Sequence, residues 1–250
     1  MDKQPFGVLI IHGFASSLDS VKEVEPPLKA LGLPTSMPVL RGHNQSSPEA
    51  LRGVKWHDWM ADAEAALRGL MEETEKIIIV GHSMGGLAAL NLAADHTEAV
   101  DSLVLAAAAV QLANPLASGR PLHFLAPLVI RLFKKWSLPP VFADKALARY
   151  DTNYHWAPMD AIASFLEFSD FTRKMLTDVR APALILQSRR DTTVAAESAE
   201  MIYKRIATPE AQKQIMWFER TEHEMFHDCE KEAVIAAVVE YVRERCGLKG

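Results

Sequence analysis

The residues Lys76-Ile77-Ile78-Ile79-Val80 run straight into Gly81-His82-Ser83-Met84-Gly85-Gly86 and then into a helical pattern from Leu87 to Ala94. This junction limits the possible folds more than any other part of the chain. A short, continuous apolar run rich in β-branched residues reads as a strand buried on both faces. A serine at its exit, with glycine two positions to either side, reads as the tip of a sharp strand-to-helix turn of the G-x-S-x-G type. Such a turn strains the serine backbone, lifts the hydroxyl clear of the sheet and needs small neighbours to avoid clashes. The helix behind it aims its free amides and positive dipole end at the hydroxyl. Ser83 is therefore the candidate nucleophile.

The same rhythm recurs along the chain. Phe6–Ile11, Thr35–Leu40, Val100–Leu105, Ala183–Leu186 and Gln214–Phe218 read as strands, and Val21–Leu31, Trp56–Met71, Ser198–Ile206 and Lys231–Arg245 as helices. Strands alternating with helices predict an α/β fold, a mostly parallel central sheet flanked by helices. One stretch breaks the pattern. Between Gln111 and Asp178 the spacing predicts only helices, interrupted by prolines at 115, 121, 127, 139, 140 and 158, and Leu122–Phe133 is unusually apolar. An excursion this long exceeds one crossover helix. It is read as a helical cap, 111–178, inserted into a core of 1–110 and 179–250.

Composition narrows the class. The chain has 250 residues, a length that suits one domain with or without an insertion. Its 32 acidic and 27 basic residues leave a net charge of -5, which argues against nucleic acid as the main partner. Two cysteines, Cys229 and Cys246, exclude a disulfide framework and are read as free thiols on a helical segment. The start Met1-Asp2-Lys3-Gln4 lacks a run of positive charge, and no segment reaches the ~20 apolar residues of a membrane span. The expectation is a cytoplasmic monomer or small homo-oligomer.

The first strand ends in His12-Gly13-Phe14. In serine acyl transfer one oxyanion donor is the amide after the nucleophile, here Met84. The other comes from the loop after an earlier strand, where His-Gly lets the backbone come close; Phe14 N–H is the candidate.

With these residues the chain resembles the α/β-hydrolase superfamily. His12-Gly13-Phe14, Arg41-Gly42-His43 and Trp56-His57-Asp58-Trp59, with the serine elbow, are similar to its bacterial monoacylglycerol lipase and carboxylesterase branch. Family members often have glycine after Arg-Gly-His; here stands Asn44, which tolerates positive φ. The resemblance implies antiparallel strands at the N-terminal edge, for which there is almost no room before Phe6, so the sheet is expected to be shortened there. It also implies the chain order nucleophile, acid, histidine. Asp191 follows the strand Ala183–Leu186 at its carboxyl end, whereas Asp178 precedes that strand and Asp144, Asp151, Asp160 and Asp170 lie in the excursion. His223 follows the last strand by a few residues.

A rival motif overlaps this histidine. His223-Glu224-Met225-Phe226-His227 spells H-E-x-x-H, the zinc-peptidase signature, which needs both histidines one turn apart on a helix. Here the segment lies between a strand and the final helix, and Asp228 reads as the N-cap of that helix, so the metal reading is the weaker one. His82 is read as structural, His57 and Trp56 as packing behind the site, and the roles of His123 and His155 stay open.

The resemblance implies a serine carboxylic-ester hydrolase for small or medium-chain acyl esters, with monoacylglycerols among them. Ser83, Asp191 and His223 would be its triad, Phe14 and Met84 its oxyanion donors, and no metal or organic cofactor would be needed. The same triad could serve thioesters, amides or C–C bonds. A non-catalytic binding protein would keep the fold without a triad.

Overall fold

The computed structural model describes residues 3–248. The terminal Met1, Asp2, Lys249 and Gly250, which the core boundaries drawn from sequence include, lie outside the described residues. The chain runs through β1 (Gln4–Ile11), α1 (Asp19–Lys22), α2 (Glu25–Ala30), β2 (Thr35–Ser36), α3 (Trp56–Glu73), β3 (Thr74–His82), α4 (Met84–Asp95) and β4 (Val100–Ala106). It continues with α5 (Ala126–Leu132), β5 (Lys135–Ser137), β6 (Trp156–Pro158), α6 (Met159–Met175), β7 (Ala183–Ser188), α7 (Glu197–Arg205), β8 (Lys213–Phe218) and α8 (Lys231–Arg245).

Six strands form one sheet in the order β2-β1-β3-β4-β7-β8, every neighbouring pair parallel. The continuous apolar strands explain why. Leu9, Ile11, Ile77, Ile79, Leu103, Leu105 and Ile185 pack into one buried layer with α3, α4, α6 and α7. The alternate residues Val8, Ile10, Ile78, Val80, Val104, Leu184 and Leu186 pack into the other, with α2 and α8. Side chains alternate along a strand, so covering both faces requires apolar residues at every position. Burying a side chain of this size stabilises by roughly 1.5–3 kcal/mol, so the central strands anchor the molecule. Among the described residues no antiparallel strand lies beside β2.

Three boundaries differ from the sequence reading. The helix read over 21–31 is two short helices, with Pro26-Pro27 in the first turn of α2, where missing N–H groups cost nothing. The strand read over 35–40 keeps only Thr35 and Ser36. The excursion, read as helices alone, holds a two-stranded antiparallel ribbon, Trp136 facing Ala157 across it. Three-residue strands flanked by prolines are too short to display a period of two. The long helix of the excursion, α6, packs on α4 and α3 and buries Ser164, Phe165, Phe168 and Thr172. No helix among the described residues is long and apolar enough to cross a membrane.

Candidate active site

Because the strands are parallel, their carboxyl ends share one edge. β1 leads there to Phe14, β3 to Ser83, β7 to Asp191 and β8 to His223. Ser83 sits at φ 53°, ψ -113°, a strained conformation for a residue with a Cβ. Its amide donates to Ala106 O at 2.9 Å, and its carbonyl accepts from Ala109 N at 3.1 Å and Gly86 N at 3.0 Å. The turn is over-determined by neighbouring backbone, which is how such strain persists.

The flanking glycines are a steric necessity. A Cβ on Gly81 would lie 2.4 Å from Gly85 O, and one on Gly85 would lie 2.1 Å from Ile11 O. Both obstacles are backbone and cannot rotate away. Gly85→Ala is therefore expected to destabilise by about 3 kcal/mol or more, a fall in Tm of roughly 10 °C. Gly69 supplies the contrast: it lies inside α3, and a Cβ there would meet nothing within 4 Å. Gly69→Ala should hold or raise Tm, by up to about 1 kcal/mol of helix propensity. Thermal unfolding of both variants checks the pair; an unperturbed Gly85→Ala would contradict the steric account.

The structure brings three of the predicted residues into one line. His223 Nε2 lies 3.1 Å from Ser83 Oγ, and His223 Nδ1 lies 2.9 Å from Asp191 Oδ2. Asp191 also accepts from Thr193 N and Val194 N, each at 2.8 Å, and from Gln187 Nε2 at 3.3 Å. Burial disfavours its charge, but His223 and these amides outweigh that and hold the carboxyl below its usual range. An acceptor carboxylate at Nδ1 places the imidazole proton there and leaves Nε2 as the acceptor facing Ser83. Burial likewise opposes a charge on His223, yet Asp191, then Glu224 and Glu222, push its pKa up.

The loop that carries Asp191 is held at its start by Ser188. Ser188 Oγ donates to Thr221 O at 2.5 Å and accepts from Arg190 N at 3.0 Å, tying the two loops together. Arg189 turns outward over Trp217 and pairs with Glu219.

The amides of Phe14 and Met84 donate to no protein acceptor among the described residues. Two buried histidines, undervalued at the level of sequence, shape the loop that carries the first of them. His43 Nε2 accepts from Ala15 N at 3.0 Å, and His12 Nε2 accepts from Leu40 N at 3.1 Å. Burial lowers their pKa values to about 3 and about 4, so both stay neutral and able to accept. The signal for them was present as His12-Gly13 and Arg41-Gly42-His43, 28 residues apart in the two bonds; their mutual contact was not. Arg41 fixes the second segment by pairing with Asp58 and Asp62 of α3, and Asn44 adopts φ 54°, the conformation asparagine tolerates. His82 donates from Nε2 to the carbonyl of His223 at 3.0 Å, a structural part. Trp56 stacks on Phe168 and His57 behind the site.

The segment His223–His227 is a turn, and its two imidazoles are committed to different partners. His227 Nε2 bonds the carbonyl of Asp19, away from Ser83. Asp228 does not cap the final helix, a correction to its reading from sequence: α8 starts after Glu230. The Asp228 carboxylate accepts instead from Glu222 N, Ala143 N, Asp144 N and Cys229 N, pinning the excursion to the histidine loop. Cys229, exposed in the turn before α8, and Cys246, just past its end, are free thiols.

A cavity of about 460 Å³ opens above Ser83. Leu112, Ile130, Trp136, Leu138, Ile162 and Phe165 are among its apolar walls. The apolar stretch of the excursion is split by α5: Ala126, Val129 and Ile130 line the cavity, while Phe124, Leu128, Leu132 and Phe133 stand exposed. Neither His123 nor His155 lines it.

A parallel sheet with a strained serine at a strand exit, backed by an α-helix and covered by an excursion over its carboxyl edge, is an α/β hydrolase. The chain belongs to the family described as serine aminopeptidase, S33, which it matches over residues 4–230. It is 26% identical over 243 residues to a thermostable monoacylglycerol lipase from Bacillus sp. (strain H-257), covering 97% of this chain and 92% of that one. It is 24% identical over 247 residues to a carboxylesterase of Bacillus subtilis (strain 168), covering 95% and 92%. Among solved structures, one described under the metagenome-derived lipolytic enzymes LipS and LipT superimposes with a TM-score of 0.86 at 25% identity, covering 97% of this chain and 95% of that one. The monoacylglycerol lipase of Paleococcus ferrophilus shares the fold, with a TM-score of 0.79 at 18% identity over 97% of this chain and 96% of that one.

Proposed function

We propose that the protein is a serine carboxylic-ester hydrolase whose cavity takes small or medium-chain acyl esters, monoacylglycerols among them, and that residues 111–178 act as its cap. The observation that carries the reading is the hydrogen-bonded line Ser83–His223–Asp191 on a strained elbow beneath an apolar cavity. The relatives named above, a monoacylglycerol lipase and a carboxylesterase, support the ester class.

In this reading Ser83 Oγ attacks the ester carbonyl as His223 Nε2 takes its proton. Asp191 holds the imidazolium that forms. The amides of Phe14 and Met84 receive the oxyanion, each such donor being worth roughly 3–4 kcal/mol in comparable sites. Collapse breaks the bond to the alcohol oxygen, which leaves with the proton from His223. Water, deprotonated by the same imidazole, then releases the acid and restores Ser83.

Rates on p-nitrophenyl esters of increasing acyl length test the substrate class. Each buried methylene contributes ~0.8 kcal/mol in a dry pocket, so kcat/KM should rise several-fold per methylene from acetyl towards octanoyl. A flat series would refute an acyl-binding cavity, and faster turnover of matched thioesters or amides would favour the related chemistries.

A further inference from the structure

The cavity wall is not apolar throughout. Asp151, Asn153, His223 and Glu224 line it together with Ser83, and no lysine or arginine does. Glu224 is 6% exposed. One oxygen of its carboxyl accepts from Asn153 Nδ2 at 3.1 Å, and no other protein group among the described residues hydrogen-bonds that carboxyl. The amide of Asn153 cannot be turned over without loss, because its Oδ1 accepts from Ser17 N at 3.0 Å. Its backbone N–H is taken by Asp151 Oδ1 at 3.0 Å. The second oxygen of Glu224 is not among the buried side-chain atoms left without a partner, so it is open rather than sealed in protein.

Two other buried carboxylates of this region are furnished differently. Asp191 has the imidazole, two backbone amides and Gln187, and Asp228 has four backbone amides. Their pKa values lie below the usual range. Burial instead pushes Glu224 up to about 7; His223 pulls the other way, and Asp151 adds to the rise. The open oxygen of Glu224 and the carboxylate of Asp151 line the cavity with no lysine or arginine in its wall, so their negative potential meets no counter-charge there. A hydroxyl would supply a hydrogen bond but no positive charge. An ammonium group, quaternary or not, supplies that charge, and a carboxylate would be repelled.

We propose that Glu224, with Asp151 and Asn153, forms a cation-accepting end of the cavity, so that the preferred esters carry an ammonium group on the leaving alcohol. The proposal rests on the ester-hydrolase reading and narrows its substrate class. The alcohol side is assigned because Glu224 adjoins His223, the residue that returns a proton to the leaving oxygen. Glu224 thereby determines specificity through the alcohol, while the apolar walls receive the acyl chain.

Three butyrate esters separate the terms: butyrylcholine, its uncharged carbon isostere, and glycerol monobutyrate. In the wild type, kcat/KM for butyrylcholine should exceed that for the isostere by about tenfold or more, the effect of one well-placed charge pair. Tetramethylammonium should compete with butyrylcholine. In Glu224→Gln the ratio between choline ester and isostere should fall towards one, and Asp151→Asn should lower it in part. The ratio is internal to each variant, so a general loss of turnover does not imitate the result. Equal rates on the two esters in the wild type would overturn the proposal while leaving the hydrolase reading intact. So would a ratio unchanged in both variants, or a preference for the glycerol ester. Failure to hydrolyse any of the three would count against both readings.

Discussion

Ser83→Ala is expected to lower ester turnover by about 10³-fold or more, as removal of the nucleophile does in other triads. The folded state should survive the change. Among the described residues the hydroxyl makes a single protein hydrogen bond, to His223, and the tight turn is held by backbone bonds to Ala106, Ala109 and Gly86 that alanine retains. A fluorophosphonate should label the wild type at Ser83 and leave the variant unlabelled, read by mass spectrometry of the modified peptide. Thermal unfolding close to that of the wild type would show that lost chemistry, not lost structure, is responsible. Near-wild-type turnover in Ser83→Ala would remove the proposed mechanism altogether. The residual rate has its own meaning: any catalysis left above water would come from the Phe14 and Met84 amides and from binding in the cavity.

His223→Ala should lose turnover to a similar degree, and His227→Ala should keep most of it. Only four positions separate them, but their surroundings are unlike. His223 joins Ser83 to Asp191, whereas His227 bonds the carbonyl of Asp19 on the α1 side of the loop. Losing His227 should therefore appear mainly as lower stability, about 1 kcal/mol for a partly buried hydrogen bond. The pH profile adds a second check. His223 must be neutral to accept a proton, so kcat/KM climbs with pH as the imidazolium deprotonates. Asp191, Glu224 and Glu222 raise its pKa against the effect of burial, so the acidic limb should lie above the ordinary imidazole value of 6.5. Glu224→Gln removes one of these charges and should move the limb down. A limb at or below 6.5 in the wild type would show that desolvation prevails. Loss of turnover in His227→Ala with retention in His223→Ala would transfer the base to His227.

Local patterns carried the fold and much of the candidate site. A run such as Ile77–Val80 can be buried on both faces only in a covered parallel sheet, and Gly81-x-Ser83-x-Gly85 can follow it only as a tight turn. Those properties belong to consecutive residues, so they are legible without tertiary information. The chain order implied by the family resemblance, nucleophile before acid before histidine, then pointed to Asp191 and His223 as candidates by their places after strand ends. Tertiary structure decided what depends on partners distant in sequence. Asp228 looked like a helix cap because it precedes α8, yet its oxygens hold amides from residues 143, 144 and 222, and no local pattern records that. The ribbon of β5 and β6 escaped notice because its strands have three residues each, less than two periods of alternation. His12 and His43 stay neutral because the fold buries them, and they support one loop because it brings them within 4.9 Å of each other. In the sequence Glu224 stood out as the glutamate of the H-E-x-x-H motif. Its burial in the cavity wall, bonded to an asparagine 71 positions away, makes it a candidate for recognising the substrate. Strand and turn identity are local because they follow from backbone geometry and side-chain alternation, whereas a titratable group's role follows from desolvation and partners, which the closed fold alone supplies.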